Sequence, residues 1–218
     1  MAEEMKSKEP LFSPKNKKLL TTPLGRENPI TVQVLGICSA LAVTAKLEPS
    51  VVMTLSVIAV MAVGNLVISL LRKTVPPRIR IIVMLTVIAS LVILVDQVLK
   101  AIAYDVSKQL SVFVGLIITN CIIMGRFEAF AMNNKPWPSL LDGIGNALGY
   151  GWILIVVGFF RELLGSGTLY GYQVIPESFY EMGYVNNGFF ILPPMALIIV
   201  GAIIWVQRYR DRELIEEN

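Results

Sequence analysis

Two cysteines and one aspartate are the residues of this chain whose type and setting could do chemistry. Cys38 and Cys121 each lie inside an apolar run, in LGICSALAV and IITNCIIMG. Asp96 lies in LVILVDQVLK, the most apolar-flanked acid in the sequence. The chain contains no His, which removes the commonest general base and metal ligand and excludes a Ser–His–Asp or Cys–His arrangement. Thiolates in an apolar setting suit iron or an iron–sulfur cluster. Zinc needs four ligands and passes on no electrons. A 2Fe–2S cluster normally takes four Cys, so a chain with two would need a partner to supply the others. The alternative is that each Cys is a small buried hydrophobe, and the residues by themselves leave both readings open.

The elements that must position these residues are membrane spans. Apolar residues make up 55% of the chain without Gly, and charged residues only 16%. A soluble domain has about 45–50% apolar with Gly included and about 25% charged. The mean hydropathy of +0.65 agrees. The apolar residues fall in six runs: Ile30–Ala45, Val51–Leu71, Ile79 to about Leu99, about Leu110–Gly125, about Ile144–Phe160 and Phe189–Val206. None shows the period-2 alternation of a membrane strand, and lipid demands that backbone amides be satisfied internally, so helices are expected. The first and fourth runs are short, about 16 residues or roughly 24 Å of rise, against the roughly 20 residues a span needs.

The fold expected is therefore an all-α membrane protein with six transmembrane helices. Its divisions are a cytoplasmic N-terminal tail over 1–28, a membrane domain over 29–207 and a cytoplasmic C-terminal tail over 208–218. Each short run opens a group of three and carries one Cys. Similar units three spans apart insert with opposite orientation, the arithmetic of an inverted-topology repeat. The repeats run over about 29–107 and 108–207, with the first and fourth spans short or half-helical. Cys38 and Cys121 would then meet near the midplane from opposite sides.

Basic residues set the orientation. The N-terminal stretch, the loop with Arg72, Lys73, Arg78 and Arg80, the loop with Arg126 and Lys135, and the end with Arg208, Arg210 and Arg212 fall on one side of a six-span chain. That places both termini in the cytoplasm. The first 28 residues have no apolar h-region, so no signal peptide is expected. The net charge of +3 gives no reason to expect nucleic acid.

Other polar residues have plainer assignments. Asp96 falls near the outer end of its span, where Lys100 one turn on offers a partner; as an intramembrane acid it is also a candidate for an ion path. Asp142 is expected to cap the fifth span, Glu128 to be solvated beside Arg126, and Arg161 and Glu162 to pair with each other or a neighbouring subunit, or to snorkel. Gly143, Gly145, Gly149 and Gly151 read as close helix packing rather than a nucleotide loop, since no strand precedes them. Asn65 and Asn120 read as interhelical hydrogen-bonding groups, Asn120 being in place to support Cys121.

At QVLGICSALAVTAKLE, RIIVMLTVIASLVILVDQVLKA, YDVSKQLSVFVGLIITNCIIMGRFEAFAM, LDGIGNALGYGW and VGFFRELLGSG, the chain resembles a family of membrane subunits. The family includes the D-type subunit of the sodium-translocating NADH:quinone reductase and the E-type subunit of the ferredoxin-linked Rnf complex, with the sodium pump favoured by VSKQLSVFVGLIITNC. The likeness covers about residues 30–170. It implies an intramembrane 2Fe–2S centre with two Cys from this chain, Cys38 and Cys121, and two from the homologous E-type subunit of the pump. It further implies electron relay from NADH toward ubiquinone coupled to Na⁺ export, within a six-subunit complex of the bacterial inner membrane. No flavin is expected on this chain. A cofactor-free secondary transporter is the alternative of a different class.

Overall fold

In a computed structural model, residues 14–25, 27–102, 114–173 and 188–210 are described. They are mostly helical. Helix α1 (Pro14–Thr21) and a 3₁₀ turn (Thr22–Leu24) lead into an irregular stretch and then the short α2 (Ile37–Val43). Long helices follow, α3 (Leu47–Leu71) and α4 (Arg80–Ile102). Two short helices come next, α5 (Val114–Ile118) and α6 (Cys121–Arg126), then a π-helical turn (Phe127–Ala131). Helix α7 (Pro136–Ser166) is the longest of these at 31 residues. A hairpin of β1 (Thr168–Leu169) and β2 (Tyr172–Gln173), a 3₁₀ turn (Gly188–Ile191) and α8 (Pro193–Arg210) complete the described elements.

Three of these helices are long and apolar enough to cross a membrane: Leu47–Leu71, Arg80–Ala101 and Pro136–Ser166. They coincide with the second, third and fifth apolar runs. The first run yields only the seven residues of α2. The backbone before it is turned out of helical geometry at Val34 (φ 57°) and Gly36 (φ 80°). The described part of the fourth run is split at Asn120 into α5 and α6. Residues 110–113 of that run, 1–13 of the expected N-terminal tail and 211–218 of the expected C-terminal tail lie outside the described residues.

Helix α7 packs along α3, and small residues let it approach. Gly143 sits against Asn65 and the Met61 carbonyl, Gly151 against Thr54, and Gly158 against Ser50. Asn65 Nδ2 donates to the Ser139 carbonyl at 2.9 Å, the interhelical bond expected of it. Hydroxyls on α3 are satisfied locally, as lipid requires: Ser50, Thr54 and Ser56 each donate to the carbonyl four residues back. A Cβ on Gly151 would overlap the Thr54 side chain. Gly151→Ala is therefore expected to destabilise the α3–α7 pair by about 1–3 kcal/mol, whereas Gly115→Ala, with open space around it, should be close to neutral. Thermal unfolding of the detergent-solubilised complex, followed by tryptophan fluorescence, measures both.

Helix α4 packs on α3 with one face and leaves Ile81, Ile82, Ile93, Leu94 and Val98 exposed. Facing hydrocarbon, such a surface carries no penalty, since lipid tails are as apolar as Leu.

The stretch expected as an N-terminal tail differs from that expectation from Pro14 onward. It lies along α7: the Leu19–Leu20 backbone sits against Gly145, and the Pro23 carbonyl against Gly149. Asn28 Nδ2 donates to the Gly149 carbonyl at 2.9 Å, while Asn28 Oδ1 accepts from the Ile30 and Thr31 amides. Two of the four glycines thus receive this polar segment, so apolarity alone could not reveal it.

Candidate metal centre

Cys38 and Cys121 both sit at the start of a short helix. Cys38 is the second residue of α2 and Cys121 the first of α6. Gly36 makes the first start possible. Its φ of 80° is the left-handed conformation that only glycine adopts readily, and a Cβ there would meet the Tyr150 ring at 3.0 Å. Asn120 makes the second: its Oδ1 accepts from the Ile122 amide at 3.3 Å, capping α6.

The two starts converge. The Gly36 N–H, two residues before Cys38, donates to Cys121 Sγ at 3.3 Å. Both thiols are free and exposed on the surface of this chain. Exposure of two cysteines on an otherwise apolar chain is unlike the buried hydrophobe that a free Cys usually is.

Beneath them lies a buried polar trio. Tyr150, from the middle of α7, is fully buried, as are Ser39 and Asn120. Tyr150 Oη donates to Ser39 Oγ at 2.7 Å, and Ser39 Oγ donates to the Gly36 carbonyl at 2.8 Å. Asn120 Nδ2 reaches Ser39 Oγ at 3.4 Å and Tyr150 Oη at 3.5 Å. Sequence reasoning does not single out Tyr150, Ser39 or Gly36. The available signals are a Ser directly after Cys38 and a lone hydroxyl-bearing aromatic within the Gly-rich start of the fifth run.

Among the described residues there is no group of three or more His, Cys, Asp or Glu able to hold a metal. A four-thiolate site would thus draw half its ligands from elsewhere. The donor set present, two exposed thiols with one sulfur already taking an amide hydrogen bond, fits an iron–sulfur group, whose sulfurs are stabilised by such bonds.

The remaining candidates are placed differently from expectation. Asp142 does not cap a helix. Pro136 occupies the first turn of α7, where a missing N–H costs nothing, so the helix starts two turns before the apolar run and Asp142 falls inside it. Asp142 is buried and pairs with Arg126 from the end of α6, while Asn146 Nδ2 donates to its Oδ1 at 3.1 Å. Glu128 is half-exposed and ion-paired with Arg80 rather than merely solvated beside Arg126. Asp96 does pair with Lys100, at 2.6 Å.

Arg161 and Glu162 do not pair with each other; among the described residues the ion pairs are those three. Both are instead buried at the junction between α2 and α3. Arg161 donates to the Leu41 carbonyl at 3.2 Å and to Thr44 Oγ1 at 2.6 Å, closing the end of α2. It also donates to the Phe190 and Ile191 carbonyls of the 3₁₀ turn before α8. Glu162 Oε2 accepts from the Leu47 amide at 2.6 Å, at the start of α3. Opposite charges thus complement the opposite ends of two successive helices.

The family described as Rnf-Nqr subunit, membrane protein, matches residues 16–204. The chain belongs to the Rnf-Nqr family of membrane subunits. Within that family it is similar to the D subunit of the Na(+)-translocating NADH-quinone reductase of Aeromonas hydrophila, 59% identical over 200 residues, covering 92% of this chain and 95% of the relative. The proteins of the same name from Psychromonas ingrahamii (58%) and Shewanella pealeana (56%) match over the same shares. The Rnf-Nqr match takes in both cysteine segments, Tyr150 and Arg161.

Proposed function

We propose that this chain is the D-type membrane subunit of a Na⁺-translocating NADH:quinone reductase, in which Cys38 and Cys121 supply half of an intramembrane 2Fe–2S site. The other two thiolates come from a homologous E-type subunit. The observation that carries this is the bond from the Gly36 amide to Cys121 Sγ, which ties the two cysteine segments together at a surface where both thiols remain open to a neighbour. The names of its relatives, at 56–59% identity over most of the chain, support the sodium pump. Six spans in two inverted three-helix repeats, both termini in the cytoplasm of the inner membrane, form the architecture of this proposal. The break at Gly36 and the break at Asn120 support it, since each falls in the opening run of its half.

Bound there, the group would supply one-electron transfer within the hydrocarbon, dividing a crossing of about 30 Å into shorter steps. The chain's own part is to hold the sulfurs. Gly36 gives Cys121 Sγ an amide hydrogen, and Asn120 fixes the first turn that carries Cys121. Negative charge in so apolar an interior is costly unless a cation accompanies it. That cost is a physical reason for coupling electron flow to Na⁺. On this chain Asp96 is the carboxylate proposed for the ion path: Lys100 takes its Oδ2, while its buried Oδ1 has no hydrogen-bond partner among the described residues.

The test is purification of the native complex through a tag on this chain. The expected preparation contains iron and acid-labile sulfide and reduces quinone with NADH in a Na⁺-stimulated manner. A preparation free of iron, or one indifferent to Na⁺, rules the assignment out.

A further inference from the structure

Resting on the assignment of the cysteines as ligands, we infer that Tyr150 and Ser39 form a hydroxyl relay that sets the reduction potential of the centre by holding the Gly36 amide on Cys121 Sγ. The relay passes through the Gly36 backbone: Tyr150 Oη donates to Ser39 Oγ at 2.7 Å, Ser39 Oγ donates to the Gly36 carbonyl at 2.8 Å, and on the other side of the Gly36 Cα its N–H donates to Cys121 Sγ at 3.3 Å. Both hydroxyl-bearing side chains are fully buried. Gly36 is held by the Ser39 hydroxyl and the Ala40 amide (3.1 Å) on its carbonyl, and by the Tyr150 ring across the space a Cβ would fill; the hydroxyl is the one of these that links the carbonyl to Tyr150. With φ at 80° and no side chain, glycine has the widest choice of other conformations, so an external restraint is what keeps its N–H aimed at the sulfur.

The consequence for redox chemistry has a definite sign. An N–H donated to a ligand sulfur favours the more negative, reduced form and so raises the potential. The effect is large in a low-dielectric interior, where a hydrogen bond is electrostatically stronger than in water. Loosening Gly36 weakens that bond and lowers the potential. Tyr150 and Ser39 are positioning residues, since neither bonds to a sulfur.

Tyr150→Phe keeps the ring against Gly36 and removes only the hydroxyl; Ser39→Ala breaks the same relay at its middle. Potentiometric titration of the whole complex, followed by electron paramagnetic resonance, reads the outcome. In both variants the midpoint should move to more negative potential with iron content unchanged. At the wild-type midpoint the reduced-to-oxidised ratio should fall about threefold, which at 59 mV per tenfold for one electron is about 30 mV. Trp152→Phe, an exposed position on the same helix, should leave it unmoved. An unshifted potential in both relay variants, with iron present, overturns the relay and leaves the cysteine assignment standing. Loss of iron in Tyr150→Phe beside an unshifted Ser39→Ala also overturns it, assigning Tyr150 to packing alone. A wild-type complex with no centre overturns both proposals together.

Discussion

A complex carrying Cys121→Ser will assemble and yet lose about two irons per copy, with quinone reduction falling to background. Serine nearly matches cysteine in size, and its hydroxyl can still accept the Gly36 amide hydrogen that Cys121 Sγ now takes. The α6 start is also retained, because Asn120 and not Cys121 caps that helix. The fold therefore has no strong reason to change. The ligand chemistry does: soft thiolates select iron–sulfur clusters, and a hard, protonated hydroxyl does not replace them. If the cysteines were only small hydrophobes, the same exchange would cost about 1 kcal/mol and leave electron flow intact. The two accounts thus differ by the whole signal. Iron analysis, electron paramagnetic resonance and NADH-driven quinone reduction on one preparation decide between them. Cys38→Ser should behave alike, and retention of full iron in either variant ends the case for that residue as a ligand.

The long elements are legible in the sequence because hydrocarbon thickness imposes one simple demand, a long apolar run. Leu47–Leu71 and Arg80–Ala101 satisfy it plainly. The interruptions that matter chemically are legible only as shortness. The first run is about 16 residues long, but apolarity does not say that just Ile37–Val43 is helical. The left-handed turn at Gly36 packs against a tyrosine more than a hundred residues later. Apolarity misplaces Asp142, because the helix begins at Pro136, ahead of its apolar portion. Adjacency suggests that Arg161 and Glu162 pair with each other, whereas their partners are the Thr44 hydroxyl and backbone groups at Leu41, Leu47, Phe190 and Ile191, which no local pattern announces. The docked segment from Pro14 on is hidden for a related reason, since it meets α7 through backbone against Gly145 and Gly149 and one Asn28 side-chain hydrogen bond to the Gly149 carbonyl.

Arg161→Met is expected to be the most damaging single substitution that touches neither cysteine. Methionine keeps much of the length and apolar stem but carries no donor. Four acceptors then lose their partner at once: the Leu41, Phe190 and Ile191 carbonyls and Thr44 Oγ1. Each buried polar group left unsatisfied costs about 1–3 kcal/mol. Local relaxation recovers part of that sum, so the net loss should be about 3–5 kcal/mol, the range seen when a buried charge's interactions are broken. The damage should also be directed. Arg161 is what holds the end of α2, and α2 carries Cys38 at its start, so a released helix end lets the thiol drift from its counterpart. The expected result is a large fall in the unfolding temperature of the complex together with substoichiometric iron. Arg161→Lys tests the geometry, because a compact ammonium lacks the planar fork that spans acceptors on two elements; it should fall between wild type and methionine. Glu162→Gln retains an oxygen for the Leu47 amide and should be the mildest of the three. An Arg161→Met complex that unfolds at the wild-type temperature with full iron would show that the end of α2 is held by something else.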